Sequence, residues 1–333
     1  MSSATSTGNR ASLGASVNSL WSRIGGQNIS LLIALAVLVA IFGFLRPDVF
    51  FSARNVINIG LAVTILGILA MAQTVVIVSG GLDISVGSIV GLSTMVLAVT
   101  IQETGSVPLG ILAGLMSGLV AGLLNGSVII YGPVNAVIAT LGTMSAFRGL
   151  AYLLNNGNSI AIQGDSLRVL GVGNFLGLPY AIWLLLAVIA VFIVLTQKTV
   201  IGRNIYAIGG NQTVARLAGL PIKRYQLGIY AMSGLAAAIA GLILASRTMS
   251  GQPASGSQGL ELEAITAAIL GGCALQGGKG TIVGAMLGVL IIGVLNNGMI
   301  LTSVPTFYQL LAKGALLILA VIVQERQRAR SGE

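Results

Sequence analysis

The chain contains no histidine and a single cysteine among 333 residues. Without histidine, the commonest general base and metal ligand near neutral pH is missing, so a nucleophile paired with histidine is excluded. The one thiol, Cys273, permits no internal disulfide and does not report a redox compartment. Charge is scarce as well. Asp, Glu, Lys and Arg make up 8% of the residues, against roughly 25% in an average soluble domain. Only eight residues are acidic, and they are too scattered to assign a paired-carboxylate or metal site.

What fills the chain instead is apolar. The hydrophobic fraction is 55%, with 46 glycines, and the mean hydropathy is +0.97. Lipid as solvent demands this much apolar sequence, whereas a soluble core does not. Small residues let helix backbones approach closely inside a membrane. We therefore expect an all-α integral membrane protein of about ten transmembrane helices. Segments of the required length fall at 30–45, 57–79, 84–101, 108–130, 133–154, 178–195, 225–245, 262–275, 280–295 and 308–323. The eighth is short and interrupted by Gly271-Gly272, and a count of eight with two re-entrant helices stays open. Residues 1–28 read as a tail carrying Arg10 and Arg23, with an interfacial helix near Trp21. Residues 29–323 read as the membrane domain and 324–333 as a second tail.

The net charge of +9 points to membrane topology rather than to nucleic acid. Residues 198–225 hold Lys198, Arg203, Arg216, Lys223 and Arg224 and no acid. The N-terminal tail has two arginines, and the C-terminal tail has Arg326, Arg328 and Arg330. Excess Lys and Arg mark the cytoplasmic side. Six helices before residue 198 and four after put both tails and 198–225 inside, and the polar stretch 155–178 outside.

Two stretches echo each other. GILAGLMSGLVAGLLNG (110–126) resembles GTIVGAMLGVLIIGVLNNG (280–298), and Gly81-Leu82-Asp83 precedes the first as Gly259-Leu260-Glu261 precedes the second. Predicted helices 2–5 and 7–10 therefore read as two copies of a four-helix unit. One helix separates them, so the copies are inverted, as in many transporter folds. On that reading the two triplets lie on opposite faces of the membrane.

Asp83 stands out in VSGGLDISVGS because acids are so rare. Gly80 and Gly81 suit the end of one helix, and Asp83 with Ser85 suits the start of the next, where a carboxylate accepts backbone N–H bonds. The motif is either a helix cap or a contact at the membrane face. In 202–224, Asn211 is a good helix N-cap, Gln212 to Leu217 form a short helix, Gly219 closes it and Pro221 prevents continuation. Such a helix presents Val214, Leu217 and Ala218, with Arg216 alongside, for docking on another protein. A merely topogenic basic loop is the alternative.

GCALQGGKGT (272–281) imitates a phosphate loop, but Cys273 stands at the first glycine position and Gly280 replaces Ser/Thr. It reads as a sharp glycine turn between the eighth and ninth expected helices, with Lys279 as a cytoplasmic anchor. Arg148 and Lys313 fall inside predicted helices, where ionisable groups face a cavity or partner or snorkel to the interface. The polar candidates for a translocation pathway are Gln73, Thr74, Asn125, Asn135, Thr140, Thr143, Asn296 and Asn297.

GGLDISVGS, GRNIYAIGGNQTVARLAG and LEAITAAILGGCALQGGKGTIVGAMLGVLIIGVLNNG together resemble the permease subunits of ribose-type ABC importers, within the branched-chain amino acid/ribose permease superfamily. The resemblance covers residues 52–323, and the motifs keep their order. It implies that Asn211 to Gly219 dock on a separate ATP-binding subunit. ATP and Mg would be bound there, with no cofactor on this chain. It implies a dimer with a second permease, an extracytoplasmic sugar-binding protein, a sugar or small polyol as cargo, and a bacterial inner membrane location. Two other classes are a self-contained secondary transporter and a membrane-embedded enzyme. The first usually keeps an acid near mid-membrane, whereas the acids here fall at predicted span ends or in loops.

Overall fold

The structure, a computed structural model, describes residues 26–331. The N-terminal tail and its expected helix near Trp21 lie outside the described residues. In chain order the helices are α1 Gly26–Leu45, α2 Pro47–Phe50, α3 Ala53–Val78, α4 Val86–Thr104, α5 Val107–Tyr131, α6 Ala136–Leu153, α7 Arg168–Val172, α8 Tyr180–Lys198, α9 Val200–Gly210, α10 Gln212–Leu217, α11 Ile222–Thr248, α12 Leu260–Leu270, α13 Ile282–Leu301 and α14 Thr306–Ser331. Four two-residue strands complete the described residues: β1 Ile160–Ala161, β2 Asn174–Phe175, β3 Leu178–Pro179 and β4 Ser250–Gly251. β1 pairs antiparallel with β4, and β2 with β3.

The protein is an all-α membrane bundle. Among the described residues, eight helices are long and apolar enough to cross a bilayer: α1, α3, α4, α5, α6, α8, α11 and α13. Thr306–Ile322 of α14 is a shorter apolar helix. The eighth expected segment contracts to α12, whose 11 residues reach about half way across a roughly 30 Å hydrocarbon core. Gly271 and Gly272 end it early. α14 also runs on to Ser331, through residues expected to form a tail.

Helix starts follow the local sequence. Ser52, Ser106, Thr199 and Thr281 each accept a backbone N–H of the first turn of α3, α5, α9 and α13. α3, α4 and α11 form the buried centre, and most of α1, α5, α6 and α8 is left exposed. Glycine sets the closest approach. A Cβ on Gly122 of α5 would stand 2.2 Å from the Tyr230 carbonyl oxygen of α11, and one on Gly234 of α11 would stand 2.1 Å from the Gly118 carbonyl oxygen. The two backbones touch along this seam, which gives dispersion contact where lipid supplies no hydrophobic drive.

The packing supports the internal repeat. Exchanging α3, α4, α5 and α6 for α11, α12, α13 and α14 maps one set of helix contacts on the other. α4 packs on α5 and α6 as α12 packs on α13 and α14, and α11 packs on α4 and α5 as α3 packs on α12 and α13. Five spanning helices separate the start of α3 from that of α11, so the units run in opposite senses. The triplets, however, do not lie on opposite faces. A Cβ on Gly87 would meet the Glu261 carboxylate at 2.0 Å, so the two breaks approach each other inside the bundle. The chain after Gly80 climbs alongside α12, with Leu82 against Ala268, Ile265 and Ile269, instead of stopping at the surface.

If the α5–α11 seam carries the fold, Gly122→Leu should lower the thermal midpoint of the purified protein by the equivalent of about 1–3 kcal/mol of overpacking. Gly142→Leu on α6, where a Cβ meets nothing within 4 Å, should leave it within error of the parent. Equal shifts for the two would deny the seam its role.

Candidate functional site

The segment from Thr199 to Pro221 is almost wholly helical. α10 spans Gln212–Leu217 as expected, and the Asn211 side chain accepts from both Thr213 N–H and Val214 N–H at 3.0 Å. α9 was not expected; its glycines mask it in the sequence. Ala215 is the inward residue of α10. It packs with Ile208 of α9 and Ile222 of α11, which fixes the helix against the membrane domain. The opposite side is bare. Val214 is 59% exposed and Leu217 84% exposed, and Arg216, Ala218 and Gly219 are exposed beside them. Gly219 has φ +80°, a left-handed conformation that side chains with a Cβ adopt only under strain. It closes α10 so tightly that Leu220 N–H reaches back to the Ala215 carbonyl at 3.1 Å.

α9 joins this helix to the membrane domain by close backbone approach at Gly209 and by side chains of Ile205 and Tyr206. A Cβ on Gly209 would fall 1.7 Å from the Val78 carbonyl oxygen at the end of α3. That carbonyl accepts the Gly278 N–H at 2.8 Å. The Tyr206 hydroxyl donates to the Gly280 carbonyl at 2.7 Å. Burial, and then the neighbouring Cys273, push this phenol above its usual range, so it stays a donor. The α9 end, the α3 end and the 271–280 turn are thus one junction, and 272–281 is the turn between α12 and α13.

Two residues beyond Gly81 lies a second site. Asp83 is fully buried, which corrects its reading as a membrane-face contact. One carboxylate oxygen accepts from Ser85 N–H at 3.0 Å and Ser85 Oγ at 2.7 Å, and the other from Ser233 Oγ of α11 at 2.7 Å. Asn125 of α5 donates to Ser85 Oγ at 2.7 Å. Gln73 of α3 donates to the Asp83 carbonyl. The Leu82 carbonyl accepts from Tyr230 at 3.3 Å and Thr140 at 3.5 Å. The capping idea survives in the Ser85 N–H bond, but the carboxylate chiefly ties together separate helices.

Of the expected pathway residues, this knot gathers Gln73, Asn125 and Thr140. Thr74 bonds the Ala70 carbonyl and Thr143 the Thr140 carbonyl, each within its own helix. Asn135 is exposed and caps α6 by accepting Val137 N–H. Asn297 forms a reciprocal amide pair with Asn55 at 3.1 and 2.8 Å, which staples α13 to α3. Asn296 is partly buried, with an unpaired Oδ1. The two intramembrane cations are also engaged. Arg148 donates to the Pro253 carbonyl at 2.9 Å and Ser257 Oγ at 2.8 Å, and Lys313 pairs with Glu263 at 2.7 Å. Ser233 and Tyr230 escaped sequence reasoning because YAMSGLAAAIAGL carries no motif; their only signal is polarity within an apolar span.

Residues 55–321 match the family described as branched-chain amino acid transport system / permease component. The chain belongs to this family. It is 41% identical over 332 residues, 99% of both chains, to the L-arabinose transport system permease protein AraH of Escherichia coli K12. It is 43% identical over 306 residues, 91% of this chain and 94% of the relative, to the ribose import permease protein RbsC of Bacillus subtilis 168. Identity to the L-arabinose ABC transporter permease protein AraH of Azospirillum brasilense is 41% over 309 residues, 93% and 90% of the two chains. No solved structure gives a significant match.

In this permease Ser233→Ala leaves one carboxylate oxygen of Asp83 without a donor. The expected cost is about 1–3 kcal/mol, seen as a lower thermal midpoint in detergent. Ser145→Ala on the exposed side of α6, where the hydroxyl meets only the Leu141 carbonyl at 3.4 Å, should change nothing. A Ser233→Ala midpoint equal to the parent's would show that the knot does not stabilise the fold.

Proposed function

We propose that this permease carries a sugar, a pentose first among them, across a bacterial inner membrane, driven by ATP hydrolysis on a separate subunit that docks on α10. The relatives named for arabinose and ribose support the cargo class. The observation that carries the mechanism is the bare face of α10. It is apolar, anchored from behind by Ala215, and closed by a glycine that leaves Ala218 and Leu217 unobstructed. An exposed apolar patch of this kind on a rigid element fits a protein partner.

Force applied there meets a backbone junction at Gly209. It passes to the end of α3, and so to Asp83, and to the 271–280 turn between α12 and α13. The remaining partners follow the same reading: an extracytoplasmic sugar-binding protein that delivers cargo, and a second permease copy that closes the pathway.

Three variants test the docking. Ala218→Glu places a charge in the interface, Gly219→Val strains the turn, and Leu217→Asp removes the apolar contact. Each should insert normally, because no span is altered. Each should lose roughly tenfold or more in co-purified ATPase subunit, the ~1.4 kcal/mol of one decade, and should lose uptake of radiolabelled arabinose or ribose in reconstituted vesicles. Parental co-purification and uptake in all three would remove α10 as the coupling element.

Orientation is tested separately. In a Cys273→Ala background, a membrane-impermeant maleimide should label Gln163→Cys in intact cells and label Arg216→Cys only after the membrane is opened. Labelling of Arg216→Cys in sealed cells would invert the assignment.

A further inference from the structure

Between α8, α9 and α11 lies an open groove of about 490 Å³, lined by Leu195, Ile201, Ile205, Gly228, Ile229 and Met232 with Arg224 and Tyr225 at one end. Its lining is almost entirely apolar. It runs along one side of α11 from Pro221 to Met232, about 16 Å at 1.5 Å per residue, which matches half of a roughly 30 Å hydrocarbon core. Gly228 forms an open stretch of its wall, since a Cβ there meets nothing within 4 Å. Tyr225 is held aside by Asn204, whose side-chain amide donates to the phenol oxygen at 2.5 Å.

The charge at the mouth is one-sided. Arg224 is exposed and pairs with no carboxylate among the described residues, and Lys198 and Arg203, which flank the groove residue Ile201 in sequence, are exposed as well. Residues 198–225 contain no acid. A basic side chain at the interface end of an apolar groove one leaflet deep has the shape and charge of a phospholipid reversed: cation at the headgroup level, hydrocarbon below. We propose that this groove binds one anionic phospholipid of the leaflet on the α9 side, its phosphate at Arg224 and an acyl chain along Gly228 to Met232. A zwitterionic lipid would fill the same space but would bring its own cation to Arg224. An anionic headgroup gains about 1 kcal/mol per basic residue near the surface, and α9, which lies over the groove, would be held at the membrane by the same lipid. The proposal stands apart from the docking at α10, because it uses the opposite end of α9 and the membrane-facing side of α11.

The test uses the full-length permease in nanodiscs of phosphatidylcholine doped with a photoreactive diazirine lipid, either phosphatidylglycerol or phosphatidylcholine. Cross-linked peptides are then mapped. Peptides covering 195–232 should take up the phosphatidylglycerol probe about fivefold more than the phosphatidylcholine probe, the factor that ~1 kcal/mol gives. Arg224→Gln should bring the two probes level without lowering the phosphatidylcholine signal. Gly228→Leu fills the groove from a position where a Cβ meets nothing, and should lower both probes. Equal labelling by both probes in the parent overturns the proposal. So does a preference that survives Arg224→Gln, or the absence of labelling of these peptides by either probe. An unchanged thermal midpoint confirms that each variant is folded, and parental ATPase co-purification by Arg224→Gln separates loss of lipid from loss of coupling.

Discussion

Asp83 satisfies a requirement that hydrocarbon imposes on any chain that breaks a helix within a membrane. No water is at hand in the bilayer core, so each N–H and C=O freed by the break needs a partner from the protein. Between α3 and α4 side chains from three helices supply such partners to two of the freed carbonyls. The Leu82 carbonyl takes two hydroxyls, from α6 and α11, and the Asp83 carbonyl takes Gln73 of α3. The carboxylate then binds Ser85 beyond the break and Ser233 on α11. A buried charge is costly unless hydrogen-bonded, so the same carboxylate holds together the helices that solvate it. The second break, at 249–259, is solved with different chemistry. Thr94 of α4 exchanges hydrogen bonds with Gln252, Arg148 of α6 binds the Pro253 carbonyl, and β4 pairs with β1. The repeated units share helix packing but not side chains, which is why only short motifs betray the repeat in the sequence.

The legible parts of this fold are those governed by local rules. Apolar runs bounded by Gly, Pro and charge placed the first seven of the ten expected helices within about four residues at both ends, whereas the last three were placed but missed their C-terminal ends by more. Asn211 and Gly219 delimited α10 because capping and positive φ are properties of single residues. What escaped depended on distant partners. Nothing in VSGGLDISVGS says that the chain climbs along α12, since the contact that decides it, Leu82 on Ile265 and Ile269, joins segments about 180 residues apart. Asn297 looked like a pathway residue because polarity within a span is ambiguous; its reciprocal bond to Asn55 makes it a staple. α9 was hidden because GRNIYAIGG is glycine-rich, yet Gly202 and Gly209 are there for close backbone approach. A Cβ on Gly202 would meet the Leu195 carbonyl at 2.3 Å.

That approach explains how one small surface helix bears on both halves of the bundle. Side chains are compliant, because rotamers yield before backbones move. At Gly209 there is no side chain between α9 and the last carbonyl of α3, and that carbonyl is already bonded to Gly278. A displacement of α10 therefore has little soft material in which to dissipate. It reaches the first unit through α3 and the Asp83 knot, and the second through the 271–280 turn and α12. There Lys313 on Glu263 carries it to α14, and Glu261 bears on Gly87 at the start of α4. On the proposed coupling mechanism, the two breaks in the chain, which cost the fold continuous helical hydrogen bonding, are where these half-helices would shift against one another, with the glycine-lined seam of α5 and α11 as the fixed part.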